Sequence, residues 1–166
     1  MPSNYTNLWW AIEDVLGGMG IPYIDAERRL NCGGPLRDYV DELVLLHRAG
    51  IRAVVSLLNI PSDRAVFETA GFEFLSLPVD NGQPPTVAQA RGFIAFMENC
   101  RSRNLPVAVY CQAGAGRTST MIACYLIHKG QTAAEAIADM RKKEPSAVET
   151  RAQILFLEEF EKFAAK

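Results

Sequence analysis

The stretch with the most chemical potential is Cys111-Gln112-Ala113-Gly114-Ala115-Gly116-Arg117-Thr118, a cysteine separated by five residues from an arginine and a hydroxyl residue. The β-branched run Leu105 to Tyr110 before it predicts a strand, and the pattern after it predicts a helix running to about Lys129. Small residues and two glycines between them let successive backbone N–H groups turn inward as a nest, to which the following helix adds its positive N-terminal end. Arg117 closes the ring with a two-pronged donor suited to an oxyanion. Gln112, Ala113, Gly114, Ala115, Gly116 and Arg117 are therefore expected to bind a group of phosphate size. The same field favours the thiolate of Cys111, so nucleophile and anion cradle become one object. A Walker loop does not fit, because lysine is missing where that motif needs it, and no third glycine follows Gly116 to complete a dinucleotide fingerprint.

On these residues the sequence resembles the cysteine-dependent protein tyrosine phosphatase superfamily, and within it the small dual-specificity phosphatases. The resemblance spans roughly residues 35 to 160 and is strongest from Pro106 to Leu126 and over Ser146 to Gln153, the latter resembling the tail of a small, atypical subgroup. It implies hydrolysis of phosphate monoesters through a phosphocysteine intermediate, with no metal and no cofactor. It also implies a general acid for the leaving oxygen. Asp80, 31 residues before Cys111 in Asp80-Asn81-Gly82-Gln83-Pro84-Pro85, matches the family's mobile acid loop, and Asp63 is the next candidate. Thr118 would donate to the Cys111 sulfur and help it leave, and Gln153 would position the hydrolytic water or brace the loop. Tyr110 departs from the family, which usually has histidine before the cysteine. Tyrosine exchanges hydrogen bonds but carries no positive charge, which leaves the nest and Arg117 to organise the thiolate.

These residues need a scaffold, and short β-branched runs alternating with longer helical patterns supply one. The expected class is α/β: a single domain over residues 1–166, with a central, mixed but mostly parallel sheet of about five strands flanked by helices. Leu8 to Ile12 and Val15 to Ile21 form an opening strand pair. Pro35 starts a helix to about Arg48 with an apolar face of Leu36, Val40, Leu43 and Val44, and Gly50 stops it. Ile51 to Leu58 is a buried strand, Asp63 to Ala70 a helix closed by Gly71, and Phe72 to Leu77 a further strand. Three pairs, Thr86 with Gln89, Thr132 with Glu135 and Ser146 with Glu149, each read as a capping box opening a helix. As a capping residue, Glu149 receives no catalytic role.

Composition narrows the function classes. The chain of 166 residues is 49% hydrophobic and 22% charged, as in globular domains, and its net charge is −2. The cluster Arg141-Lys142-Lys143 reads as a solvated helix face, too short to neutralise a run of nucleic-acid phosphates. The run Met121 to Ile127 is far short of the ~20 residues that cross a bilayer, and the N-terminus lacks the basic start of a secretory signal. Cys32, Cys100, Cys111 and Cys124 show no paired metal spacing and suit a reducing cytosol, with Cys124 a packing residue. The expectation is a cytoplasmic monomer acting on a phosphorylated protein or a small phosphate monoester, without nucleic-acid partner or membrane insertion. Uncharged Gln112, Ala113 and Ala115 count against highly phosphorylated inositols, so a phosphoinositide or other non-protein phosphatase stands as the alternative. A rhodanese-like sulfurtransferase is disfavoured by Arg117, Thr118 and Asp80. A phosphate-binding pseudophosphatase is the non-enzyme alternative that Tyr110 raises.

Overall fold

Val107 to Tyr110 are all fully buried, and their side chains alternate between two hydrophobic cores, as the period of a strand requires. This strand is the centre of the sheet around which the computed structural model, which describes residues 8–21 and 36–164, is organised. The strands are β1 (Trp9–Ile12), β2 (Leu16–Met19), β3 (Ala53–Ser56), β4 (Glu73–Ser76) and β5 (Val107–Tyr110), in the order β1-β2-β5-β3-β4. Only β1 runs antiparallel to its neighbour; β2, β5, β3 and β4 are parallel. The mixed, mostly parallel α/β sheet expected from the sequence is thus present, with strands a little shorter than their apolar runs.

The described helices are α1 (Leu36–Arg48), α2 (Ser62–Thr69), α3 (Val87–Ser102), α4 (Gly116–His128), α5 (Ala133–Lys143) and α6 (Arg151–Ala164). On one face of the sheet, Phe93 and Met97 of α3, Met121 to Ile127 of α4, Met140 of α5 and Leu157 of α6 pack with Val107, Val109 and Cys111. On the other face, Leu43 and Leu46 of α1 and Phe67 of α2 pack with Ala108 and Tyr110. α4 is buried along almost its whole length because helices and sheet surround it. None of the described helices is long and apolar enough to cross a membrane.

Two local expectations are corrected. The α1 face turns on Leu43 and Leu46, while Val44 is 40% exposed; the buried positions are spaced by three, and Val44 falls beside them. Pro35 and the side chains of Leu36 and Val40 lie outside the described residues. The capping boxes at Thr86 and Thr132 are present, but the third is displaced by one turn. It is Thr150, not Ser146, that caps α6: Gln153 N donates to Thr150 Oγ1 at 3.2 Å and Thr150 N to Gln153 Oε1 at 3.1 Å. The Ser146 amide instead donates to Glu144 Oε1. Glu149 therefore precedes the cap and is free of the capping duty assigned to it. The Arg141–Lys143 cluster is exposed, as a solvated face should be.

Candidate active site

Cys111 follows β5 at the carboxyl end of the parallel strands, where open α/β sheets present their ligand crevices. The loop after it is shaped by its outer neighbours. Ile21 N donates to Gln112 O at 3.1 Å, and Trp9 Nε1 donates to Gly114 O at 3.3 Å. A trans peptide carries its N–H opposite its carbonyl, so anchoring these two oxygens outward turns the amides of Ala113 and Ala115 toward the pocket. Gly114 makes the close approach possible: its φ is +75°, and a Cβ there would collide with the backbone of Met19 and Gly20. Ala115 is the N-cap of α4 and supplies no side-chain cap, which leaves the first N–H groups of that helix for an anion.

The loop encloses a pocket of about 240 Å³ lined by Cys111, Gln112, Ala113, Gly116 and Arg117, with Asn81 and Glu149 at its side. Cys111 is 2% exposed. Arg117 is buried, and its Nη1 donates to Val79 O at 2.9 Å, which aims the guanidinium across the pocket and ties it to the segment carrying Asp80. Ser119 and Thr120 direct their hydroxyls to Gly116 O, at 3.1 and 2.6 Å, and fix the first turn of the helix. Of the residues expected to form the cradle, Gly114 and Ala115 shape it from behind, while the other four line it.

Asp80 is exposed and adjoins Asn81. Its carbonyl accepts from Gln83 N at 3.0 Å, which closes the turn expected of that segment. The loop is held from α6: Thr150 Oγ1 donates to Gly82 O at 2.8 Å and Gln153 Nε2 to Gln83 O at 3.4 Å. Gln153 is fully buried and braces the loop, one of the two roles considered for it. The expected bond from Thr118 to the Cys111 sulfur is absent; Thr118 Oγ1 is buried and makes no hydrogen bond. Asp63 is removed from consideration as an acid. It is fully buried and accepts from Tyr110 Oη at 2.6 Å, and Tyr110 packs in the core of the opposite face of the sheet from Cys111.

Burial pushes the Cys100 thiol up to about 11 and the fully buried Cys124 thiol higher still, so both stay protonated and inert at neutral pH. Cys32 lies outside the described residues. Among the described residues no cluster of histidine, cysteine and carboxylate side chains is arranged to hold a metal ion.

Sequence reasoning missed Asn81 and Glu149 as pocket residues. The signal for Glu149 was available: Thr150-x-x-Gln153 satisfies the capping pattern as well as Ser146-x-x-Glu149 does, and choosing it leaves Glu149 uncommitted.

A model of the family described as "Polymorphic toxin system, DSP-PTPase phosphatase" matches residues 34–131. The chain is 38% identical over 99 residues to the dual specificity protein phosphatase CDC14C of Symphalangus syndactylus, a stretch that is 59% of this chain and 20% of that protein. It is 30% identical over 117 residues to the protein tyrosine phosphatase type IVA 3 of Bos taurus, covering 69% of this chain and 67% of that one. The chain thus spans about a fifth of the first relative and two thirds of the second. Among solved structures, Tk-PTP in the active form superimposes with a TM-score of 0.78 at 25% identity, over 95% of this chain and 98% of that one. The kinase associated phosphatase, at 17% identity and a TM-score of 0.77 over 97% and 96% of the two chains, shares the fold. Because the family match takes in more than half of the sequence and runs through the whole cysteine loop, the chain belongs to the DSP-PTPase phosphatases.

Proposed function

We propose that the protein hydrolyses phosphate monoesters of proteins, phosphotyrosine first and phosphoserine or phosphothreonine with it, through a phosphocysteine intermediate. The observation that carries this reading is the single pocket shared by the Cys111 sulfur, the uncapped N-terminus of α4 and the Arg117 guanidinium. In the first step the Cys111 thiolate attacks phosphorus, the bond from phosphorus to the leaving oxygen breaks, and that oxygen takes a proton from Asp80. The loop amides and Arg117 meet the charge spread over the equatorial oxygens in the transition state. In the second step water attacks phosphorus, the P–S bond breaks, and the water proton returns to the Asp80 carboxylate, releasing phosphate and the thiolate. Thr118 has its buried hydroxyl uncommitted for the departing sulfur. No metal or cofactor enters these steps. In this reading the protein works as a cytoplasmic monomer, to which the free thiols Cys100, Cys111 and Cys124 are suited.

The test is Cys111→Ser, because a serine hydroxyl is not ionised by this field. Turnover of an aryl phosphate is expected to vanish in that variant, while rapid quenching of the unmodified enzyme traps a phosphate on Cys111 by mass spectrometry. Unchanged turnover in the variant would overturn the phosphocysteine mechanism.

A further inference from the structure

The reaction just described assigns no work to Glu149, yet the chain is built to put it in the pocket. Its carboxylate lies against the cysteine loop: a Cβ on Gly116 would lie 2.8 Å from Glu149 Oε2 and 3.3 Å from Gln153 Nε2, so glycine lets the carboxylate approach this closely without shifting. The residue before it, Val148, is buried with φ +51°, a left-handed conformation that a β-branched residue adopts only when its surroundings impose it. Those surroundings are specific. Val148 N donates to the buried Ser119 Oγ at 2.8 Å, and Arg141 donates to Ala147 O and Val148 O, both at 3.2 Å. The strained turn aims Glu149 at the site, and backbone strain held in this way is a mark of function.

The charges around the pocket are few. Among the described lining residues Arg117 is the one cation, Asn81, Gln112 and Ala113 are neutral, and Glu149 is the one carboxylate. Glu149 is exposed and, among the described residues, has no ion-pair partner within 4.0 Å. Once Arg117 and the loop amides are committed to the transferred phosphate, a further phosphate on the substrate meets, among the described lining residues, the carboxylate of Glu149 and no second cation. A lysine or arginine flanking the phosphorylated residue finds in Glu149 an unpaired, exposed partner.

We infer that Glu149 is a specificity-determining residue, a charge filter that selects phosphoproteins with basic residues beside the phosphorylated side chain and rejects polyanionic substrates such as phosphoinositides carrying several phosphates. The inference rests on the phosphatase reading and deepens it. A single charge at an exposed rim changes the relative rate of oppositely charged substrates by about tenfold at low ionic strength, and salt shrinks the effect.

The experiment measures kcat/KM for phosphotyrosine peptides of equal length with lysine and arginine flanks or aspartate and glutamate flanks, for a soluble short-chain inositol lipid bearing several phosphates, and for an aryl phosphate. The enzyme is compared with Glu149→Gln and Glu149→Lys. The ratio of basic to acidic peptide is read within each protein, so a change in general activity divides out. About tenfold in favour of the basic peptide is expected at low salt, falling toward unity in Glu149→Gln and inverting in Glu149→Lys. An equal ratio in all three proteins, or preference for the inositol lipid over the basic peptide, overturns the filter and leaves the phosphatase reading standing. No turnover of any substrate, with no trapped phosphocysteine, overturns both.

Discussion

Arg117 donates to Val79 O, the residue before Asp80, and so ties the segment carrying Asp80 to the loop after Cys111 across a sequence separation of 31 residues. If Asp80 protonates the leaving oxygen, Asp80→Asn slows substrates with poor leaving groups by about 10²–10⁴, the range of a positioned acid, and flattens the alkaline limb of the pH–rate profile. Phosphates of strongly acidic phenols, which leave without help, are slowed far less. A leaving-group series at several pH values checks this, and equal slowing across the series would send the search to another acid. At this scale the meeting of Cys111 and Arg117 at one pocket was legible because it is local: five intervening residues keep both in a single loop. Asp63 was not, because nothing in the sequence says on which side of the sheet Tyr110 lies until β5 has a register. The one-residue alternation that sends Val109 and Cys111 to one core sends Tyr110 to the other, where it meets Asp63.

Among the elements, the N-terminus of α6 does two jobs. Thr150 Oγ1 accepts from Gln153 N to cap the helix and donates to Gly82 O to hold the loop that carries Asp80, while Gln153 caps in return and reaches Gln83 O. Thr150→Val keeps the shape and removes both bonds. It should cost roughly 0.5–2 kcal/mol of stability as a lost cap. If the latch positions Asp80, kcat on substrates with poor leaving groups should fall severalfold more than on activated aryl phosphates, and Thr150→Ser should restore both. Denaturant unfolding and the two kcat values measure the two effects separately; loss of stability with no change in leaving-group dependence would reduce Thr150 to a cap alone. The boxes at Thr86 and Thr132 were legible because one candidate pattern precedes each helix. Before α6 two patterns overlap, and the choice between them turned on the strained Val148 and its bond to Ser119, which no local spacing encodes.

Across the whole molecule, the sheet separates a layer that carries the chemistry from a layer that supports it. The alternation of strands and helices announced an α/β sheet, but the order β1-β2-β5-β3-β4 did not follow from it, since short parallel strands of similar composition accept several neighbours. That order puts β5 between β2 and β3, with its last residues serving both layers. The supporting layer is joined through aromatic packing: the Phe67 ring lies 5.8 Å from Tyr110, 5.8 Å from Phe72 and 5.4 Å from Phe74, and it is fully buried. Phe67→Ala removes that hub and should destabilise the fold by about 3–5 kcal/mol, the usual cost of truncating a buried phenylalanine. The pocket lies past the carboxyl end of β5, formed by the loop after β5, the start of α4, the turn before α6 and Asn81, none of which includes Phe67. At a temperature where the variant is still folded, kcat on an aryl phosphate per folded molecule should therefore stay within about twofold of the parent, although the denaturation midpoint drops sharply. Vanadate titration counts the competent sites and thermal unfolding reads the loss. A collapse of kcat per titrated site at unchanged fold would show that the Tyr110 layer reaches through the sheet to set the geometry of Cys111, and the two layers would have to be treated as one catalytic unit.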